Sequence, residues 1–165
     1  MKNALSVFNE VGEEYETLSG RRHGAIDAYN TEDAERVVVI NGCSAGTMRA
    51  AAREINRDVS EGKAGVLAVK LFRPFPSDEI VACLRGAKSI VVMDRSLSLG
   101  APAGPLAEDV KSAAKNYGIN VPIVSVVYGI GGRDLSLEDA RQIFKLAKDE
   151  RTLNSRESIY YGVKE

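Results

Sequence analysis

The sequence RVVVINGCSAG at residues 36–46 joins an apolar run to a glycine-rich turn. Its apolar part, Val37 to Ile40, does not alternate with polar residues, which is typical of a strand buried on both faces of a parallel sheet. Apolar residues at helical spacing follow the turn, from Met48 to Val59. A buried strand, a tight turn and an amphipathic helix in this order predict the first unit of an α/β fold.

The alternation of apolar runs and helical segments repeats along the chain. Three further apolar runs lie at residues 65–72, 89–94 and 121–128, and segments with helical spacing lie between them. This alternation indicates right-handed crossovers between parallel strands. The sequence therefore predicts one doubly wound α/β domain with a mostly parallel sheet that is covered by helices on both faces.

The two ends of the chain are organised differently from its centre. Residues 5–18 place apolar side chains three and four positions apart, with glutamates on the other face, which predicts an amphipathic helix that ends at Gly20. Residues 25–29 are predicted to form an edge strand. We divide the chain accordingly into a helix and edge strand (1–30), an α/β domain (31–150) and a C-terminal docking tail (151–165); the family resemblance described below implies that 1–30 is a linker to a missing preceding domain.

The composition of the 165 residues excludes several functions. There are 22 Lys plus Arg against 23 Asp plus Glu, a balance that gives no basic footprint for nucleic acid or a membrane surface. No apolar run approaches the roughly 20 residues of a membrane span, and no signal peptide is recognisable, so a cytoplasmic location is expected. Two cysteines and one histidine are too few for a four-thiolate iron–sulfur cluster or a tetrahedral Cys/His zinc site. Any redox cofactor must therefore be held elsewhere.

The turn after the first strand is a candidate anion site. Gly42 and Gly46 allow close approach to the backbone, and Ser44 precedes a helix whose N-terminal amides can face an anion. The turn lacks the Lys-Ser/Thr of a phosphate loop and the Gly-x-Gly-x-x-Gly fingerprint. A tight turn capped by Ser44 or Thr47 is therefore the favoured interpretation, with Cys43 as a small packing residue.

Each of the three later strands is followed by an arginine, namely Arg73, Arg95 or Arg133. Prolines on either side of Phe75 hold the backbone near Arg73 extended, so that this arginine is fixed in place. A fixed arginine suits bidentate contact with a carboxylate or phosphate, and a structural ion pair fits it equally well. Because the carboxyl ends of parallel strands meet at one edge of a sheet, the three arginines are expected to share that edge as anion or interface contacts.

The four strand-end loops, taken in order, resemble core domain II of the alpha subunit of pyruvate:ferredoxin oxidoreductase, the counterpart of the transketolase C-terminal domain. The resemblance covers nearly the whole chain, and the order of the motifs carries it more than any single one. The motifs are Gly42 with Ala45-Gly46-Thr47, Leu71-Phe72-Arg73-Pro74-Phe75-Pro76, Asp94-Arg95-Ser96 with Gly100 and Gly104-Pro105-Leu106, and Gly129-Ile130-Gly131-Gly132-Arg133-Asp134.

The resemblance implies a 2-oxoacid:ferredoxin oxidoreductase (pyruvate synthase), which oxidatively decarboxylates a 2-oxoacid to an acyl-CoA and passes electrons to ferredoxin. The assembled complex would contain thiamine diphosphate, magnesium, iron–sulfur clusters and CoA, with none of them bound by this chain. The partners implied are the preceding domain of the alpha subunit, the beta, gamma and delta subunits and, indirectly, ferredoxin. No catalytic residue carries over, so the isolated chain is expected to be inactive and to serve a structural, interdomain and subunit-interface role.

The resemblance also implies a three-layer α/β/α architecture. Its sheet would have about five strands, with residues 25–29 as an antiparallel edge strand. A function of another class stays open beside it, in which the chain is a free-standing CoA- or nucleotide-binding α/β module that uses its arginine-bearing strand ends.

Overall fold

A computed structural model of the chain describes residues 3–163, which form a six-stranded sheet between helices on both faces. The strands are β1 (Ile26–Tyr29), β2 (Arg36–Ile40), β3 (Ala64–Val69), β4 (Ser89–Asp94), β5 (Ile123–Val127) and β6 (Ile159–Tyr160). The helices are α1 (Ala4–Ser19), α2 (Ala45–Ile55), α3 (Ser77–Leu84), α4 (Pro105–Asn116), α5 (Leu137–Leu146) and α6 (Glu150–Leu153). Short 3₁₀ turns occupy Val59–Glu61 and Ile130–Gly132.

The strand order is β1-β3-β2-β4-β5-β6, and every neighbouring pair is parallel except β1 with β3. The doubly wound, mostly parallel sheet with an antiparallel edge strand is therefore confirmed. In the central strand, Val38 lies opposite Val66 on one side and Val91 on the other. The chain passes from β2 to β3 on one side and later to β4 on the other, so the carboxyl ends of β2 and β4 form the topological switch point.

The sheet separates two hydrophobic layers. Val38 and Ile40 point into the layer that α2 and α5 cover, where Met48 and Phe144 are fully buried. Val37 and Val39 point into the opposite layer, which α3 and α4 cover. All five residues of β2 are buried, and this explains why its sequence shows no polar alternation.

The sheet has one strand more than the five expected, because residues near the C-terminus add β6 beside β5. Ile159 and Tyr160 pair with Val126 and Val127, and the Tyr161 amide donates to the Val127 carbonyl at 2.8 Å. A two-residue strand is too short to give a periodic signal in the sequence. Residues 159–161 of the predicted docking tail thus pair with the chain's own sheet, while Lys164 and Glu165, like residues 1 and 2 of the predicted linker, lie outside the described residues.

Helix α1 forms where it was predicted and ends at Gly20, which has a φ of 68°. None of its described residues is buried. Four large apolar side chains form what we call the α1 apolar face: Val7, Val11, Tyr15 and Leu18, which are 51%, 56%, 50% and 86% exposed. Among residues 3–163, no helix has the length and apolarity needed to cross a membrane.

Candidate functional site at the carboxyl edge of the sheet

A cleft of about 680 Å³ opens at the switch point. We call it the switch-point cleft. Its walls come from the turn after β2, the ends of β3, β4 and β5, strand β1 and the start of α2. The lining residues are Asp27, Asn41, Gly42, Cys43, Ser44, Ala45, Arg49, Ala68, Val69, Lys70, Phe72, Arg95 and Tyr128. Ligand sites in open α/β sheets lie at this position.

The turn after β2 forms one wall of the switch-point cleft. Gly42 has a φ of 82°, a conformation that glycine adopts without steric cost. Ser44 stands at the N-cap of α2, but its side chain makes no capping hydrogen bond, and Gly46 lies within the first turn of the helix rather than in the cleft. The prediction that the Ser44 side chain caps α2 by a hydrogen bond was therefore wrong. Cys43, which was expected to be a small packing residue, is exposed on the cleft wall.

Three cationic side chains and one carboxylate line the switch-point cleft. Asp27 Oδ2 lies 2.7 Å from Arg49 Nη2 and 3.2 Å from Lys70 Nζ. Burial opposes ionisation of Asp27, but the hydrogen bonds and charges of Arg49 and Lys70 outweigh it and lower the pKa of this carboxyl. Arg95 forms no ion pair within residues 3–163. The lining therefore carries a surplus of positive charge.

Tyr128 closes the cleft on the side of β5. Its side chain is only 2% exposed, and its hydroxyl has no hydrogen-bond partner in the part of the chain that the structure describes. Burial raises the pKa of the Tyr128 phenol, while the nearby Ser44 hydroxyl and the Arg95 charge act in the opposite direction. The guanidinium carbon of Arg95 lies 5.9 Å from the centre of the tyrosine ring, a distance at which cation–π attraction operates.

The three arginines expected to share the edge do not converge on one site. Arg73 lies outside the cleft, where its Nη1 atom is 2.7 Å from Asp109 Oδ2 and its guanidinium stacks 4.1 Å from the centre of the Phe72 ring. Arg133 donates to the carbonyl of Gly162 beside β6. Only Arg95 of the three lines the switch-point cleft. Arg73 therefore forms the structural ion pair that the sequence analysis left open. Arg133 holds the C-terminal segment in place.

The glycine-rich loop after β4 is filled by the chain itself. Asp94, 3% exposed, accepts hydrogen bonds from the amides of Leu106 and Ala107 at 2.9 and 3.0 Å. Its carboxylate thus satisfies the N-terminus of α4, where an external anion would otherwise bind. Burial raises the pKa of Asp94, and the two amide bonds partly offset that shift. This loop is therefore a structural cap.

The donor atoms of the described residues do not fit the metal cofactors that the resemblance implies. Cys43 is exposed in the cleft and Cys83 is half-buried in α3, and residues 3–163 contain no group of three or more metal-binding side chains. Asp27, the carboxylate of the cleft, is already held by two cations. Neither an iron–sulfur cluster nor a diphosphate-bound magnesium ion finds its ligands here.

Sequence reasoning missed four residues of the switch-point cleft: Asp27, Arg49, Lys70 and Tyr128. Lys70 and Tyr128 directly follow the ends of β3 and β5, so their position at the edge could have been inferred from strand bounds alone. Asp27 and Arg49 lie on a strand and a helix, and they meet only after β1 pairs antiparallel with β3. No local signal marks that pairing.

The Gly46→Ala variant is expected to raise the free energy of unfolding by up to about 1 kcal/mol. Gly46 has no unusual φ, a Cβ built on it meets no atom within 4 Å, and alanine is favoured over glycine in a helix. Urea unfolding followed by circular dichroism measures the change. The same substitution at Gly42 is the control, and it should lower stability by about 1 kcal/mol because of its positive φ. Destabilisation by Gly46→Ala would contradict the open position assigned to Gly46.

The fold and the cleft define a class of domain: a doubly wound α/β/α domain with a ligand-sized cleft at its switch point. A solved structure described as "Split gene transketolase, inactive beta4 tetramer" superposes with a TM-score of 0.58 over 77% of this chain and 43% of its own, at 16% identity. That likeness confirms a transketolase-type fold. The family model described as pyruvate:ferredoxin oxidoreductase core domain II matches residues 34–140. The chain belongs to that family.

The relatives with curated names agree with the family. Pyruvate synthase subunit PorA of Thermotoga maritima is 39% identical over 166 residues, which cover all of this chain and 41% of that subunit. The PorA subunit of Methanosarcina barkeri is 35% identical over 94% of this chain and 40% of its own. The pyruvate:ferredoxin oxidoreductase of Moorella thermoacetica is 32% identical over 84% of this chain and 12% of its own length. The chain thus spans about two fifths of the PorA subunits that it matches.

Proposed function

We propose that this chain works as core domain II of the alpha subunit of a 2-oxoacid:ferredoxin oxidoreductase. In that role it braces the catalytic domains and forms interdomain and subunit contacts, and it carries none of the reacting groups. The reaction would be the oxidative decarboxylation of a 2-oxoacid to an acyl-CoA, with thiamine diphosphate, magnesium, iron–sulfur clusters and CoA held by other parts of the complex. The chain alone would then be inactive.

The observation that carries the proposal is the α1 apolar face. Four large apolar side chains on this one helix are at least half exposed, whereas the other exposed large apolar side chains of residues 3–163, among them Leu99, Tyr117 and Tyr160, belong to several separate loops and elements. A contiguous exposed apolar surface marks an interaction site. The occupant we propose is the part of the alpha subunit that the PorA relatives contain and this chain does not span.

A single charge on the α1 apolar face is expected to weaken assembly. Val11→Asp places a carboxylate in the centre of the face, where docking would bury it without a partner, and about tenfold or greater loss of affinity follows. The measurement is recovery of the complex, and its 2-oxoacid- and CoA-dependent reduction of ferredoxin, when the chain is produced with the rest of the alpha subunit and the other subunits.

The matched control for this assembly test is Asn9→Asp. It adds the same charge two positions away, on the opposite side of α1, where Asn9 is exposed. Circular dichroism should show both variants folded, because Val11 is 56% exposed in the chain itself. Equal assembly of the Val11→Asp variant and the unaltered chain would contradict docking through this face.

A further inference from the structure

We propose that the switch-point cleft binds a phosphate-bearing small molecule, with its anionic group held by Arg95, Arg49 and the start of α2. The inference concerns a binding site of the domain itself and does not depend on the oxidoreductase assignment. Of the three arginines that the sequence interpretation placed at this edge, only Arg95 belongs to the proposed site.

The charge of the cleft favours an anion. Arg49, Lys70 and Arg95 face it, against the single carboxylate of Asp27. Asp27 is shared by Arg49 and Lys70, so one of those two charges and the whole charge of Arg95 stay uncompensated within the lining. Guanidinium groups bind phosphate oxygens with paired hydrogen bonds and suit this ligand better than an ammonium group does.

Two buried donors of the cleft also lack an acceptor. The Tyr128 hydroxyl and the Nε atom of Arg49 have no hydrogen-bond partner among residues 3–163. A buried donor without an acceptor costs about 1–3 kcal/mol. Both belong to residues that line the cleft, on walls contributed by different elements. A ligand that brings several acceptor oxygens between these walls would satisfy both once the Tyr128 and Arg49 side chains turn toward it.

The start of α2 adds to the attraction. Helices α3, α4 and α5 each carry an acidic residue in the first turn, whereas α2 carries none. Asp94 fills the start of α4 and a Ser136–Asp139 capping box fills that of α5. The amides of Cys43 and Ser44, just before α2, donate to no acceptor in the described part of the chain. The amides of Ala45 and Gly46 already donate to the carbonyls of Gly42 and Cys43, so the free donors that this helix end offers to an anion are those of Cys43 and Ser44.

The shape of the cleft favours a small molecule over an acidic protein segment. Its volume of about 680 Å³ lies within the range of small-molecule sites, roughly 300–1,000 Å³. A tetrahedral phosphate offers acceptors in more directions than a planar carboxylate, and the donors of this cleft converge from three elements. Phe72, Ala68 and Val69 supply apolar surface for the organic part of the ligand.

Titration of the 165-residue chain with inorganic phosphate and inorganic diphosphate, followed by amide chemical shifts, tests the proposal. We expect saturable shifts at Gly42, Cys43 and Ser44. The Arg95→Ala variant should weaken diphosphate binding at least about tenfold, because it removes a charge-assisted hydrogen bond. The Tyr128→Phe variant should weaken it about three- to tenfold while the spectrum of the remaining chain stays unchanged.

The matched control for the titration is Arg73→Ala. It removes the same charge from the end of another strand, β3, outside the cleft and already paired with Asp109. It should leave diphosphate binding within about twofold of the unaltered chain, since the charge of Arg73 is half exposed, paired with Asp109 and screened by salt. Non-saturable shifts, or equal weakening by Arg73→Ala and Arg95→Ala, would overturn the proposal. Tighter binding of a polyglutamate peptide than of diphosphate would overturn it in favour of an acidic protein segment.

Discussion

The Gly104→Ala variant is expected to lose about 3 to 5 kcal/mol of unfolding free energy, the sum of overpacking and loss of a helix cap. A Cβ built on Gly104 overlaps the Cβ, Cγ and Oδ2 atoms of Asp94. Asp94 has no room to withdraw, because it is buried and bound to the amides of Leu106 and Ala107. Gly104 itself has a φ of −71°, which alanine adopts freely, so the effect is steric. Urea unfolding measures it.

The opposite end of the same helix supplies the control for Gly104→Ala. Gly118 follows α4 with a φ of 76°, and a Cβ built there meets no atom within 4 Å. Gly118→Ala should therefore cost only the conformational strain of about 1 kcal/mol. In an Asp94→Gly background, Gly104→Ala should cost markedly less than alone, since all three overlapping atoms are gone. A cost that is unchanged in that background would show that Asp94 is not the obstacle.

Much of the fold could be predicted because its strands are long and buried on both faces. The apolar runs at β2, β3 and β4 each occupy five or six consecutive buried residues, which leaves a continuous signal in the sequence. Strand β6 has two residues and one is exposed, so it leaves none. It forms where residues far apart along the chain meet, and just beyond it the Tyr161 hydroxyl donates to Asp139 Oδ1 at 3.1 Å.

The site could be predicted only where position along a strand determines position in space. Arg95 follows β4 directly and lies in the cleft as its strand end requires. Arg73 and Arg133 also follow strands, but each is held away by a partner that is 36 or 29 residues distant in sequence. Which arginine stays free for a ligand depends on those partners, and they become known only once the helices are packed.

Arg36 is the first residue of β2, and the sequence analysis assigned it no role. In the structure it is only 4% exposed. Its Nη2 atom donates to the carbonyls of Glu61 and Gly62 at 2.5 and 3.0 Å, and its Nη1 atom donates to the carbonyl of Phe144 at 3.3 Å. One side chain thus ties the start of β2 to the 3₁₀ turn before β3 and to helix α5. Burial lowers the pKa of Arg36, and the charges of Glu61 and Glu35 partly restore it.

The Arg36→Met variant is expected to lose about 2 to 4 kcal/mol of unfolding free energy, because it leaves up to three carbonyls without their charged donor. Relief of the buried charge offsets part of that loss, which is why the value stays below the sum of three hydrogen bonds. Urea unfolding measures it against Arg73→Met, whose ion pair is half exposed and should change stability by less than about 1 kcal/mol. Hydrogen exchange should show faster opening of α5 and the 3₁₀ turn in Arg36→Met alone. Equal stability of the two variants would mean that the Arg36 contacts contribute no more than a surface ion pair does.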